Sequence, residues 1–158
     1  MADTEPLPDL KALLGELVSR VDIAERPFLL ALAERLAAGR YRRWAGEETD
    51  AARVAVLEQC AEREDEIARR IESLYPNPDE VRAAVEAAVP EFGELDRTVF
   101  GGRPLADQYA LQAAGERLGA ANWRAMAEAA LDDETRDTLA SCAPLEEANA
   151  DALDALLA

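Results

Sequence analysis

Apolar residues recur at spacings of three and four along most of this chain, the pattern of helices that bury one face. After a polar lead, Pro8-Asp9 opens a segment with Leu10, Leu13, Leu14, Leu17, Val18 and Val21 on one side. That pattern predicts a short helix lying against a larger body. A long helix follows over about residues 23–45, with Pro27 tolerated near its start and Gly46 to Thr49 breaking it. The next helix covers about residues 50–75 and stops at Pro76-Asn77-Pro78. Asn77 as cap, Pro78 at the first position and Asp79-Glu80 in the first turn then start a shorter helix. Its apolar face is Val81, Ala84, Val85, Ala88 and Val89, and it ends at Pro90. Residues 91–104 read as a connector containing Gly101-Gly102, and two more long helices cover about residues 105–131 and 133–158.

Short loops make each pair of long helices antiparallel, and the long middle connection serves as a crossover between pairs. The expectation is an all-α four-helix bundle in a single domain over residues 1–158. Residues 1–22 form an N-terminal segment, 23–75 the first helix pair, 76–104 the crossover and 105–158 the second pair. The two pairs repeat one another. Glu34-Arg35-Leu36 recurs 82 positions later as Glu116-Arg117-Leu118. Leu57, Cys60, Ala61 and Glu64 recur at the same offset as Leu139, Cys142, Ala143 and Glu146.

The repeat sets four glutamates on apolar stripes. Glu34 shares a face with Leu30, Ala37, Ala38 and Tyr41, and Glu116 with Ala113, Gly119, Ala120 and Trp123. Small neighbours permit close helix approach and leave space beside each carboxylate. Glu64 lies within the stripe Leu57, Cys60, Ala61, Ile67, Ala68 and Ile71, whereas Glu58, Glu62, Glu66 and Glu72 fall off it. A buried, unpaired carboxylate is too costly to be incidental, so these positions predict an acidic centre. An alternative frame uses Glu62 with Asp65, but it turns the apolar stripe of that helix away from the core.

Charge removes several classes of partner. The formal net charge is −16, from 33 acidic and 17 basic residues. This argues against nucleic acid and against anionic membrane surfaces. The basic run Arg40 to Arg43 reads as a helix face. No stretch is uncharged for the length of a membrane span, and Met1 to Asp9 lacks the basic start of a secretory leader. Two cysteines make no disulfide framework, and a reducing, cytoplasmic setting is expected. With no histidine in the chain, neither a Ser-His nor a Cys-His nucleophile pair can form.

With these residues the chain resembles the ferritin-like superfamily, nearest to its rubrerythrin-like members. There each half supplies one Glu from its first helix and a Glu-x-x-His from its second. Glu34 followed by Tyr41, and Glu116 followed by Trp123, resemble the first-helix pattern. Ala61-Glu64-Ile67-Ala68 and Ala143-Glu146-Asn149-Ala150 resemble the second, with both histidines replaced. The resemblance implies a ferritin-like bundle and a dinuclear metal site. It also implies that such bundles pair as homodimers.

Two functional readings stay open. In one, the fold persists without diiron chemistry, as a metal-free structural or interaction protein. Arg42 and Arg124, also related by the repeat, would neutralise the glutamates in buried ion pairs, or the glutamates would stay protonated. In the other, Glu34, Glu64, Glu116 and Glu146 form an all-carboxylate site, with Asn149 as an extra oxygen. Four charges suit a pair of divalent ions, Mn²⁺, Mg²⁺ or Ca²⁺ by hardness, and iron can also be held. With iron or manganese the resemblance implies an oxidoreductase acting with oxygen or peroxide, Tyr41 and Trp123 being the nearby oxidisable rings. Cys60 and Cys142 read either as small apolar core residues or as soft ligands or a redox pair.

Overall fold

The computed structural model describes residues 6–158, so the first five residues of the polar lead lie outside the described residues. Among the described residues there are seven α-helices: α1 (Leu10–Ser19), α2 (Arg26–Glu47), α3 (Ala51–Glu72), α4 (Pro78–Ala88), α5 (Leu95–Phe100), α6 (Leu105–Ala129) and α7 (Asp133–Leu157). No helix is long and apolar enough to cross a membrane.

Local chemistry explains most of the boundaries. Asp9 caps α1 by accepting from the Ala12 N–H at 3.0 Å, and Asp50 caps α3 by accepting from Ala52 and Arg53 at 2.9 and 3.0 Å. Asp132 caps α7 by accepting from the Thr135 N–H at 2.8 Å. Each satisfies amides that the first turn leaves without a helical partner. The expected Asn77 cap does not form. The Asn77 backbone sits at φ −126°, ψ 69°, outside the extended conformation in which a cap side chain reaches forward.

Three expected boundaries shift. Ile23–Glu25 form a 3₁₀ turn rather than the start of the long helix, and Ile23 is exposed. The connector over residues 91–104 contains α5, whose six residues are too few to show a period but bury Val99 and Phe100. Helix α6 ends at Ala129, leaving Leu131 in the loop and 99% exposed.

Helices α2 and α3 pack as one antiparallel hairpin and α6 and α7 as another, and α3 lies against α7. This is a four-helix-bundle-like arrangement of two pairs joined by a crossover. Helices α2 and α6 approach one another less closely, and α1 covers the opening between them with Leu10, Leu13, Leu14 and Leu17. The core divides into three apolar groups. One surrounds Trp44, Tyr109 and Phe100, one surrounds Trp123, Ile67 and Leu139, and one lies beneath α4 around Phe28 and Val85.

The repeat is visible on the surface as matched ion pairs. Arg35 binds Glu72, and at the same offset Arg117 binds Asp154. Arg42 binds Asp65, and its counterpart Arg124 binds Glu147. These are mostly exposed pairs, worth about 0–1 kcal/mol each, and they tie each hairpin together without deciding its stability.

Pro144 is expected to disturb α7, yet the helix runs through it unbroken. Its ring is exposed and packs into no core group, so it contributes a missing N–H and little burial. Pro144→Ala is therefore expected to stabilise the chain by about 1–3 kcal/mol, read as a higher urea midpoint with an unchanged slope.

Candidate metal centre

One glutamate from each long helix reaches the middle of the bundle. Glu34 is 8% exposed, Glu64 0%, Glu116 1% and Glu146 1%, as their positions on the apolar stripes require. Oxygen atoms of Glu34, Glu64 and Glu146 lie within 4.8 Å of one another. Glu116 stands outside that three-way convergence. The charge of Glu116 raises the proton affinity of Glu34, Glu64 and Glu146.

Four side chains hold the carboxylates from outside. The Tyr41 hydroxyl donates to Glu116 Oε1 at 2.5 Å, and Gln112 Nε2 donates to the same oxygen at 2.7 Å. Trp123 Nε1 donates to Glu146 Oε1 at 2.6 Å. Asn149 Nδ2 donates to Glu64 Oε1 at 2.5 Å and to the Cys60 carbonyl at 3.3 Å. Both rings that sequence singles out thus touch the centre directly.

Asn149 is expected as an oxygen ligand, and the structure corrects this. Its Oδ1 accepts from Arg63 Nη1 at 3.2 Å. A guanidinium only donates, so the amide must turn its oxygen to Arg63 and its nitrogen to Glu64. Arg42 and Arg124 are also corrected as partners of the buried glutamates. Both are about half exposed, and their surface acids Asp65 and Glu147 lie nearer than the core. The alternative frame fails for the same reason: Glu62 is exposed, and Asp65 is occupied by Arg35 and Arg42.

Cys60 and Cys142 are buried free thiols in separate apolar groups. Burial pushes them up to about 12 and about 11, which disfavours the thiolate that ligation or exchange requires.

Two contributors, Arg40 and Gln112, escape a reading of the sequence. Arg40 is buried, not part of an exposed basic face. It stacks on Phe100 with its guanidinium 3.7 Å from the ring centre, bonds Asp96 at 2.8 Å and donates to Gln112 Oε1. Gln112 then presents its amide nitrogen to Glu116, so α2 and α5 together orient a carboxylate on α6. Gln112 lies four residues before Glu116, a spacing that could have flagged it. Gly119, read from the sequence as leaving space beside Glu116, leaves it for Glu146. A Cβ there would lie 2.5 Å from Glu146 Oε1, so glycine supplies the room this carboxylate occupies.

Burial pushes Glu34 up to about 7, with a further rise from Glu116. Burial also holds Glu64 and Glu146 well above the carboxylate range, reinforced by Glu116 on Glu64 and by Glu34 on Glu146. Oε2 of Glu64 and Oε2 of Glu116 are buried and receive no hydrogen bond from any protein donor. A cluster of this kind could hold a metal through Glu34, Glu64 and Glu146. Hard oxygen atoms converge there, and the bare Glu64 oxygen has no other partner to satisfy it.

Comparison of the chain with family models, with curated proteins and with solved structures finds no match. The class that fold and site define is an all-α bundle of two helix pairs around a buried cluster of glutamates, consistent with a ferritin-like metal-binding fold.

Two outcomes are expected. Gly119→Ala should destabilise despite the better helix propensity of Ala, because the new methyl displaces Glu146 from Trp123. Gly39→Ala is the control: nothing lies within 4 Å of its added carbon, and it should gain up to about 1 kcal/mol in the same urea titration. The second concerns pH. Folded Glu34, Glu64 and Glu146 keep protons that the unfolded chain loses near the ordinary value of 4.5. The folded state therefore binds more protons above that pH, and stability falls as pH rises through about 7. Chelator-treated protein should show a falling Tm from pH 5 to 8, and Glu34→Gln should flatten that fall.

Proposed function

We infer that the protein binds one divalent metal ion through Glu34, Glu64 and Glu146, as an all-carboxylate centre in a ferritin-like bundle. The observation that carries this reading is the convergence of three buried carboxylates within 4.8 Å, one of them with an oxygen that no protein donor reaches. Three acidic oxygen donors and no imidazole or thiolate favour a hard ion, manganese or iron(II) first, magnesium or calcium next.

A dinuclear site would need Glu116 as a bridge or terminal ligand, yet Glu116 stands outside the convergence of Glu34, Glu64 and Glu146. That separation supports a mononuclear centre. Bound iron or manganese would supply redox chemistry toward oxygen or peroxide. The chain's own residues hold the carboxylates in place: Asn149 orients Glu64, and Trp123 orients Glu146. A metal-free structural or interaction role is the second reading. The raised proton affinity of Glu34, Glu64 and Glu146 favours it, since burial lets neutral carboxyls persist in the core.

Metal analysis separates the two. Protein purified without chelator should carry manganese or iron at one ion per chain, and Glu64→Gln should lose it. Added Mn²⁺ at about 100 times its Kd should raise stability by about 2.7 kcal/mol. Metal-free protein whose Tm ignores excess Mn²⁺ and Fe²⁺ would refute the metal centre and leave the structural role.

A further inference from the structure

In a chain with 33 acidic residues, Arg63 makes no ion pair among the described residues. Its guanidinium reaches from α3 to α7 and donates to Asn149 Oδ1 at 3.2 Å, with the Cys60 sulfur 4.0 Å away. The 82-residue repeat shows that the two residues come together. Arg63 and Asn149 correspond to Leu145 and Ile67, and those two lie in one apolar group. One crossing of the helices is thus apolar on both sides and the other polar on both sides. A leucine in place of Arg63 would leave the buried Asn149 oxygen without this donor.

Asn149 is held at three points. Its oxygen faces Arg63, and its nitrogen donates to Glu64 Oε1 at 2.5 Å and to the Cys60 carbonyl at 3.3 Å. With both N–H groups and the oxygen engaged, the amide has a single orientation. Two oxygens are thereby withheld from the centre, Asn149 Oδ1 by Arg63 and Glu64 Oε1 by the amide. Glu64 keeps Oε2, which no protein donor reaches.

We propose that Arg63 sets the ion preference of the carboxylate centre, by holding Asn149 so that Glu64 offers one oxygen and Asn149 none. The preference presupposes that Glu34, Glu64 and Glu146 bind the ion. Arg63 hydrogen-bonds none of them and is a positioning residue that acts through Asn149. Donor number separates the candidate ions. Calcium takes about six to eight oxygens and often both of a carboxylate, whereas manganese is satisfied by an octahedron of about six. Three single oxygens leave calcium further short than manganese. Freeing the amide would add up to two oxygens, Glu64 Oε1 and Asn149 Oδ1, and calcium gains more from them.

Calorimetric titration of the full chain with Mn²⁺ and with Ca²⁺ reads the ratio of the two affinities. Arg63→Met keeps a long side chain at a half-buried position and removes the donor. It tightens Ca²⁺ relative to Mn²⁺ by about tenfold or more. In an Asn149→Leu background, with no amide to hold, the same substitution leaves the ratio unchanged. Metal-free protein supplies a separate readout. The side-chain amide protons of Asn149, followed by NMR, exchange slowly with solvent, and Arg63→Met speeds them several-fold. Both affinities falling together, or a ratio that still responds to Arg63→Met in the Asn149→Leu background, overturns the assignment. So does amide exchange indifferent to Arg63→Met. Manganese uptake with an unmoved ratio defeats the preference alone. Neither ion entering the wild-type chain defeats the carboxylate centre and the preference that rests on it.

Discussion

Everything at the middle of this molecule answers to the burial of four carboxyl groups in an apolar bundle. Moving one ionised carboxylate into such an interior without compensation costs more than the whole net stability of a typical domain, about 5–15 kcal/mol. The chain meets that constraint in several ways at once. It raises the affinity of Glu34, Glu64 and Glu146 for protons, and aims Tyr41, Gln112, Trp123 and Asn149 at single oxygens. It omits a side chain at Gly119 so that one carboxylate has space. Among the described residues, no arginine bonds any of the four carboxyl groups.

The surrounding structure follows from that omission. Arginines that could have entered the core are engaged elsewhere, Arg42 and Arg124 at the surface and Arg40 against Phe100 and Asp96. The acidic centre is thus left with charge to be balanced by protons or by an ion. Three carboxylates converge and the fourth is tethered apart: Tyr41 on α2 and Gln112 on α6 hold Glu116, while Trp123 on α6 holds Glu146.

Period and repeat made the helix pairs, the crossover and the four inward glutamates legible in the sequence. A stripe of Leu57, Cys60, Ala61, Ile67, Ala68 and Ile71 admits few orientations, and Glu64 comes with it. Short features were less legible. Helix α5 is below the length at which periodicity registers, and Asn77 carries a cap residue's identity without its backbone. The most instructive failures concern polar partners. Asn149 looked like an oxygen donor because sequence shows an amide but not which end faces inward. Only the Arg63 side chain, reaching from the other hairpin, decides that. Arg42 and Arg124 could be matched by repeat, but whether a long side chain turns inward or outward depends on where Asp65 and Glu147 stand.

The matched ion pairs on the outside have a consequence for the inside. Exchange one half for the other and two exterior ion pairs persist: Arg35 with Glu72 becomes Arg117 with Asp154, and Arg42 with Asp65 becomes Arg124 with Glu147. The interior does not survive the exchange. Leu30 stands where the other half has Gln112, Ala37 where it has Gly119, Tyr41 where it has Trp123, and Ile67 where it has Asn149. Matched ion pairs on the outside therefore flank a polar core with two distinguishable ends. Whatever enters it is held in one orientation rather than two.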